Sequence, residues 1–172
     1  MVQRMGGGQI SRFLSDNLAD YSIIDEYRLK GMLPYVPGFN PGNRRSPEPR
    51  PDYIIQQDSN VLAVLDAKYR DLFVNSLPRE MLYQLSIYAL SQISGGKAVI
   101  LYPALSDAIQ EARIEISEPL HGIRKGMVIL RPINLLTLHY LISMSGVEGK
   151  RKRFELASII AFGERKLHKE YA

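Results

Sequence analysis

The sequence predicts an α/β domain, and three observations predict it. Two short β-rich runs, Tyr53 to Gln57 and Val61 to Tyr69, flank the turn-forming triplet Asp58, Ser59 and Asn60, which reads as a hairpin. Apolar residues Met81, Leu82, Leu85, Tyr88, Ala89 and Ile93 then recur at helical spacing. A compact apolar run, Lys97 to Tyr102 (KAVILY), follows and reads as a buried strand closed by Pro103. Strand, strand, helix, strand is the order of a hairpin feeding a crossover helix.

The remaining elements fall around this centre. Gln9 to Ala19 forms a short helix, with Ile10, Phe13, Leu14 and Leu18 as its apolar stripe. Tyr21 to Tyr35 is strand-like but interrupted by Gly31. Pro34 to Pro51 is dense in Pro, Gly, Asn and Arg, so it holds neither helix nor central strand and forms an exposed loop between two strands. Pro78 suits the first turn of the central helix, and Gly95-Gly96 ends it. Ala112 to Ser117 alternates as a strand does, with Met127 to Arg131 as its expected partner. Ile133 to Met144 reads as an apolar helix and Arg153 to Tyr171 as a basic amphipathic one, giving a basic helical region over about 133–172.

Composition narrows the function classes. The 172 residues fit one domain, 1–172, large enough to bury a substantial core. With 45% hydrophobic and 23% charged residues, the chain is of the ordinary soluble globular class. It has no long uncharged apolar run and no secretory leader pattern, so no membrane association and a cytoplasmic location are expected. The absence of cysteine excludes disulfides, thiolate ligands and a cysteine nucleophile. His121, His139 and His168 are too widely spaced for a histidine-rich zinc site. Net charge is +4, concentrated in Lys150 to Arg153 and in Arg165, Lys166 and Lys169. Such clusters suit phosphate contact, and equally a solvated helix face.

The residues that carry chemistry lie in RPDYIIQQDSNVLAVLDAKYR, Arg50 to Arg70. Asp52 opens the first strand of the hairpin, and Asp66 and Lys68 lie near the end of the second. The side-chain period of two points Asp66 and Lys68 to one face and Ala67 to the other. A turn at residues 58 to 60 brings Asp52 close to opposite Asp66. Two carboxylates repel unless a cation joins them, and they are hard oxygen ligands suited to Mg2+ or Mn2+. Phosphodiester hydrolysis needs an activated water, stabilised phosphoryl oxygens and help for the leaving oxygen. Lys68 can orient or deprotonate the water, or stabilise the charge developing on phosphate. Asp-x-Lys by itself is commonly a surface ion pair, and Asp52 alone fits a turn after Pro51. What sharpens the signal is a charged pair ending the apolar run VLAVL, costly without partners. On the next helix Glu80, Gln84 and Tyr88 share one stripe, able to reach phosphate, base or the carboxylates, or to be core and boundary residues.

These residues resemble the PD-(D/E)xK nucleases, and in particular the McrC subunit of McrBC-type methylation-dependent restriction systems. The resemblance lies in RPDYII, VLDAKYR, YQLSIYA and VILYP, a motif core over 50–103, and the Gln-x-x-x-Tyr element is also similar to RecB-type exonucleases. It implies a restriction-endonuclease-like α/β core, a mixed central sheet flanked by helices, with extra C-terminal helices. It further implies Mg2+-dependent (or Mn2+-dependent) DNA cleavage. Asp52, Asp66 and the Ala67 carbonyl carry over as metal ligands, Lys68 as catalytic lysine, and Gln84 and Tyr88 as supporting residues. The chain departs from the family in two places. SRFLSDNLAD holds no first-helix glutamate, leaving Asp16 and Asp20 as the nearest acids and Glu26 further along; Met81 stands where an acid precedes the glutamine motif, beside Glu80. There is no Walker A motif, so any NTP-driven motor is expected to be a separate subunit. The large N-terminal region through which McrC engages its motor is not expected in a chain of this length, which leaves open a nuclease-only fragment, a minimal relative or another partner. DNA is the expected substrate, and a homodimer would suit double-strand cleavage. An endonuclease of a restriction or defence system leads, with a RecB-like exonuclease and a non-catalytic nucleic-acid-binding scaffold as alternatives.

Overall fold

The computed structural model describes residues 7–68, 70–93 and 95–164; Tyr69 and the basic residues Arg165, Lys166 and Lys169 lie outside them, as does His168. In chain order the elements are α1 (Gly7–Asn17), β1 (Ser22–Asp25), β2 (Tyr53–Gln57), β3 (Asn60–Ala67), α2 (Arg79–Leu90), β4 (Gly96–Ala104), β5 (Ala112–Ser117), β6 (Arg124–Asn134), α3 (Leu135–Ser143) and α4 (Gly146–Phe162). Six strands form one mixed sheet in the order β1-β2-β3-β4-β6-β5. β1, β2 and β3 run antiparallel as a meander, while β3, β4 and β6 are parallel to one another. This is the expected mixed sheet flanked by helices, with α3 and α4 as additional C-terminal helices.

The period of two divides the core. Tyr53, Ile55, Leu65, Val99, Leu101 and Ile129 face α1 and α4, meeting Phe13, Leu14, Phe154 and Ile160. Ile54, Val64, Ile100 and Val128 face the other way, against Leu85, Tyr88 and Ala89 of α2. Fully burying each such aliphatic side chain is worth about 1.5–3 kcal/mol, which makes slippage of β3 by one residue prohibitive. Gly96 lets α2 sit close on the sheet, since a Cβ there would lie 2.0 Å from the Ala89 carbonyl oxygen.

Several boundaries differ from the sequence reading: α2 ends at Leu90, before Ile93, and β6 runs over Arg124–Asn134, so Ile133 belongs to it and the expected helix starts at Leu135. The strand expected over Tyr21 to Tyr35 stops at Asp25, because β2 offers partners only to Ser22–Asp25 and Glu26 turns away with φ 52°. β4 continues through Pro103 to Ala104; β3 pairs no further than Leu101, so the missing proline N–H faces a free edge. α4 begins at Gly146, well before Arg153. Its basic run is largely committed within the fold. Arg151 pairs with Glu148 and Glu155, and Arg153 donates to the Leu141 and Met144 carbonyls at the end of α3.

Among the described residues, no helix is long and apolar enough to cross a membrane.

Candidate active site

The carboxyl ends of parallel strands are where open α/β sheets build sites, and β3 ends there in charge. Alternation carries Asp66 to the α2 face, in line with Val64, and leaves it 2% exposed. The hairpin register pairs Tyr53 with Leu65, which brings Asp52, one residue before β2, alongside Asp66. The Ala67 N–H donates to Asp52 Oδ2 at 2.8 Å, and the Glu26 N–H donates to the Asp52 carbonyl at 2.7 Å. Both contacts hold Asp52 in place. Lys68 continues the strand direction, donating its N–H to the Leu101 carbonyl at 2.9 Å. Its Nζ lies 2.7 Å from Asp66 Oδ2, and its side chain remains 31% exposed.

The electrostatics of this cluster are strained. Burial pushes the Asp66 carboxyl up to about 6; Lys68 opposes the shift and the neighbouring Asp52 charge adds to it. Asp66 Oδ2 is buried, and its contact with Lys68 is an ion pair rather than a well-aligned hydrogen bond. A buried carboxylate oxygen with unmet lone pairs, beside a second carboxylate, is a donor set that fits a hard divalent cation. Among the described residues no group of three or more His, Asp or Glu side chains has metal-holding geometry. Asp52 and Asp66 are the two carboxylates that meet at this strand end.

Gln84 and Tyr88 form a chain of hydrogen bonds leading to the same place. Gln84 Nε2 donates to the Tyr88 hydroxyl at 2.6 Å, and that hydroxyl donates to the Arg50 carbonyl at 2.8 Å. Tyr88 is 1% exposed, so its phenol acts on the backbone two residues before Asp52. Burial raises the phenol pKa; the bond with Gln84 pulls against this, and the Asp66 and Asp52 charges push it further up. Glu80 is exposed in the first turn of α2 and takes no part in this chain of bonds. The acids considered as substitutes for a first-helix glutamate do not converge on the pair. α1 packs on the opposite face of the sheet, and Asp16 is spent on an exposed pair with Arg12 at 3.8 Å. Asp20 is exposed beyond the end of α1.

Glu26, the acid considered further along the chain, adjoins the site through its backbone while its carboxylate pairs with Arg50. One feature was not foreseen from the sequence, a largely buried ion pair on the α4 face. Arg131 donates from Nε to Glu111 Oε2 at 2.9 Å and from Nη1 to the Ile160 carbonyl at 2.8 Å. Burial pushes the Glu111 carboxyl up, but hydrogen bonds from Arg131 and Arg113 outweigh it and hold the carboxyl below its ordinary range. The charge ending the run VILR was the signal. This pair lines a cleft of about 1020 Å³ between β6, α3 and α4. That cleft lies across the sheet from Asp66, and its Arg131 and Arg151 are already paired with Glu111 and Glu155.

Fold and site together define a mixed α/β protein, its six-stranded sheet flanked by helices, compatible with a restriction-endonuclease-like core and carrying a carboxylate pair at its strand ends. A chain of the Thermococcus gammatolerans assembly of McrB AAA+ hexamers with bound McrC has a similar fold, with TM-score 0.50 and 18% identity over 90% of the present chain. The present chain spans 32% of that longer chain. No family model and no curated protein matches the sequence.

Proposed function

We propose that this chain is a divalent-metal-dependent nuclease that hydrolyses DNA phosphodiester bonds, acting as an endonuclease of a McrBC-like restriction system. The observation that carries the reading is the meeting of Asp52, Asp66 and Lys68 at the end of β3, with one buried carboxylate oxygen incompletely satisfied. Asp52 and Asp66, with the Ala67 carbonyl, would hold Mg2+ or Mn2+. When bound, such an ion supplies Lewis acidity and a water of lowered pKa to the phosphodiester. Lys68 keeps its ammonium against Asp66 while still touching solvent, so it can orient the attacking water or neutralise the phosphoryl oxygens. Tyr88 and Gln84 act as positioning residues through Arg50. The solved assembly joins McrC to AAA+ hexamers of McrB; by extension, we assign a separate NTP-driven motor subunit to this chain as well. One such centre cuts one strand, so double-strand cleavage calls for a homodimer.

The test is plasmid cleavage. Supercoiled and linear DNA are incubated with the protein in Mg2+ or Mn2+, beside Asp66→Ala and Lys68→Ala. Nicking of the circle, lost in both variants and in EDTA, is the expected result. Degradation of linear DNA alone would convert the reading to exonuclease. With no cleavage, Mn2+ calorimetry decides: binding lost in Asp66→Ala marks a competent centre awaiting its motor, and no binding by the wild type sinks the catalytic reading.

A further inference from the structure

Residues 26–50, which separate β1 from β2, form an ordered arm. Its limbs are joined from the base outward: Glu26 N–H to the Asp52 carbonyl at 2.7 Å, Leu29 N–H to the Pro49 carbonyl at 2.9 Å, and Tyr35 N–H to Ser46 Oγ at 3.4 Å. Ion pairs Glu26–Arg50 and Arg28–Glu48 cross between the same limbs. At the tip, Asn40 accepts from the Arg44 N–H at 2.9 Å and donates to the Arg44 carbonyl at 2.8 Å. Gly38 and Asn43, at φ 81° and 45°, turn the chain there. Five prolines, Pro34, Pro37, Pro41, Pro47 and Pro49, stiffen it further.

The surface of this arm is unlike the rest of the molecule. It carries five basic residues (Arg28, Lys30, Arg44, Arg45 and Arg50) against two acidic ones (Glu26 and Glu48), in a chain whose net charge is +4. Glu48 is shared by Arg28 and Arg45, and among the described residues Lys30 and Arg44 form no ion pair. Beside these cations the tip exposes Val36 at 64% and Phe39 at 76%. A stiff arm with unpaired guanidinium and an exposed aromatic ring fits a polyanion that also offers apolar surface. Duplex DNA has both, phosphates along its backbone and sugar and base edges in its grooves. A purely hydrophobic protein contact would not call for the excess cations. The base of the arm shares a backbone hydrogen bond with Asp52.

We propose that residues 26–50 are the arm by which this chain grips duplex DNA, Arg44 pairing with a phosphate, Arg45 exchanging its exposed pair with Glu48 for a second one, and Phe39 packing against the groove wall. The proposal rests on the nuclease reading for the choice of DNA, and its test separates the two. The full chain is titrated into a labelled duplex in EDTA over a series of salt concentrations, with wild type, Arg44→Ala/Arg45→Ala and Phe39→Ala, and each protein is then assayed for Mn2+ binding. Losing both arginines should weaken binding about tenfold and reduce the slope of log affinity against log salt by roughly two. Phe39→Ala should weaken binding about fivefold or more with the slope unchanged. All three proteins should bind Mn2+ equally, because none of the changes touches the carboxylates. If the wild type binds Mn2+ and cuts plasmid while the arm variants keep full DNA affinity, the arm proposal is overturned and the nuclease reading stands. If the arm variants lose DNA affinity while no protein binds Mn2+, the arm stands and the nuclease reading falls. Variants that change sedimentation but not DNA affinity would assign the arm to protein contact and overturn it, as would a wild type with no affinity for the duplex at low salt.

Discussion

Two charged residues end the apolar stretches on either side of β4, and they are treated differently. Arg131 of β6 and Asp66 of β3 lie on parallel strands at nearly the same level, flanking β4 and facing opposite sides. Arg131 is the better provided for, although burial lowers its pKa against the pull of Glu111. Glu111 takes its Nε, the Ile160 carbonyl takes Nη1, and Gly163 at φ 80° leaves room where a Cβ would come within 2.5 Å of Nη2. Asp66 has one ammonium and a second carboxylate that repels it, and its pKa rises accordingly. A fold that satisfies one buried charge this well can satisfy another. The difference teaches that Arg131 serves stability, tying α4 to the sheet, while Asp66 is kept at a cost that makes sense when something else completes it.

The largest effect expected from breaking this contrast is at the satisfied side. Arg131→Ala leaves Glu111 with Arg113 alone, frees the Ile160 carbonyl and removes a buried side chain, and should cost about 2–4 kcal/mol in urea unfolding. A loss below about 1 kcal/mol would erase the distinction. At the unsatisfied side the sign reverses. The Asp66 pKa is about 6 folded against 3.8 for the ordinary group, so between those values the folded state holds a proton that the unfolded state has released. Stability therefore falls as pH rises from about 4 to 6, and above that the ionised carboxylate burdens the fold. Asp66→Asn should raise stability at pH 8 by about 1–3 kcal/mol, less whatever the Lys68 pair contributes, with the gain vanishing below pH 4. Unfolding curves at the two pH values check this, and a variant less stable than wild type at pH 8 would remove the premise. Saturating Mn2+ should stabilise the wild type and leave Asp66→Asn unmoved. The smallest stability effect belongs to Tyr88→Phe, which deprives the Arg50 carbonyl of its donor and should cost about 1 kcal/mol. Because it acts through Asp52, it should also weaken Mn2+ binding and lower kcat with little change in KM. A purely structural tyrosine would leave both untouched.

Much of the centre of this fold was legible because it is local. Asp58 and Ser59 adopt φ 48° and 66°, the conformation that a tight hairpin turn demands of such residues, and the turn fixes which side chains oppose one another. With a period of two, the turn then sets Asp52 beside Asp66 and sends Ala67 to the other face. The rest depends on partners distant in the chain. Where β1 stops is decided by the length of β2, and the persistence of β4 through Pro103 is decided by β6. The start of α4 is decided by the seam it buries and by Arg151 bridging Glu148 and Glu155, both invisible to a reading that weighed only the basic run. The loop over 34–51 read as irregular because its hydrogen bonds go to side chains and across proline-rich limbs, which leaves no periodic trace. Spacing set Gln84 and Tyr88 on one stripe and left open whether they were core and boundary; Tyr88 is core, and the Arg50 carbonyl that receives its hydroxyl has no trace in the sequence.

The junction of the arm with β2 sets rules for how this gene can change length. At the tip, around Gly42, extra residues would alter only how far the arm extends. At the base, between Arg50 and Asp52, a single inserted or deleted residue would leave Asp52 in phase, since the hairpin with β3 sets it, but would carry the Arg50 carbonyl away from the Tyr88 hydroxyl and the Arg50 side chain away from Glu26. Lineages of this protein should therefore vary freely in the middle of the arm while its last few positions keep strict count.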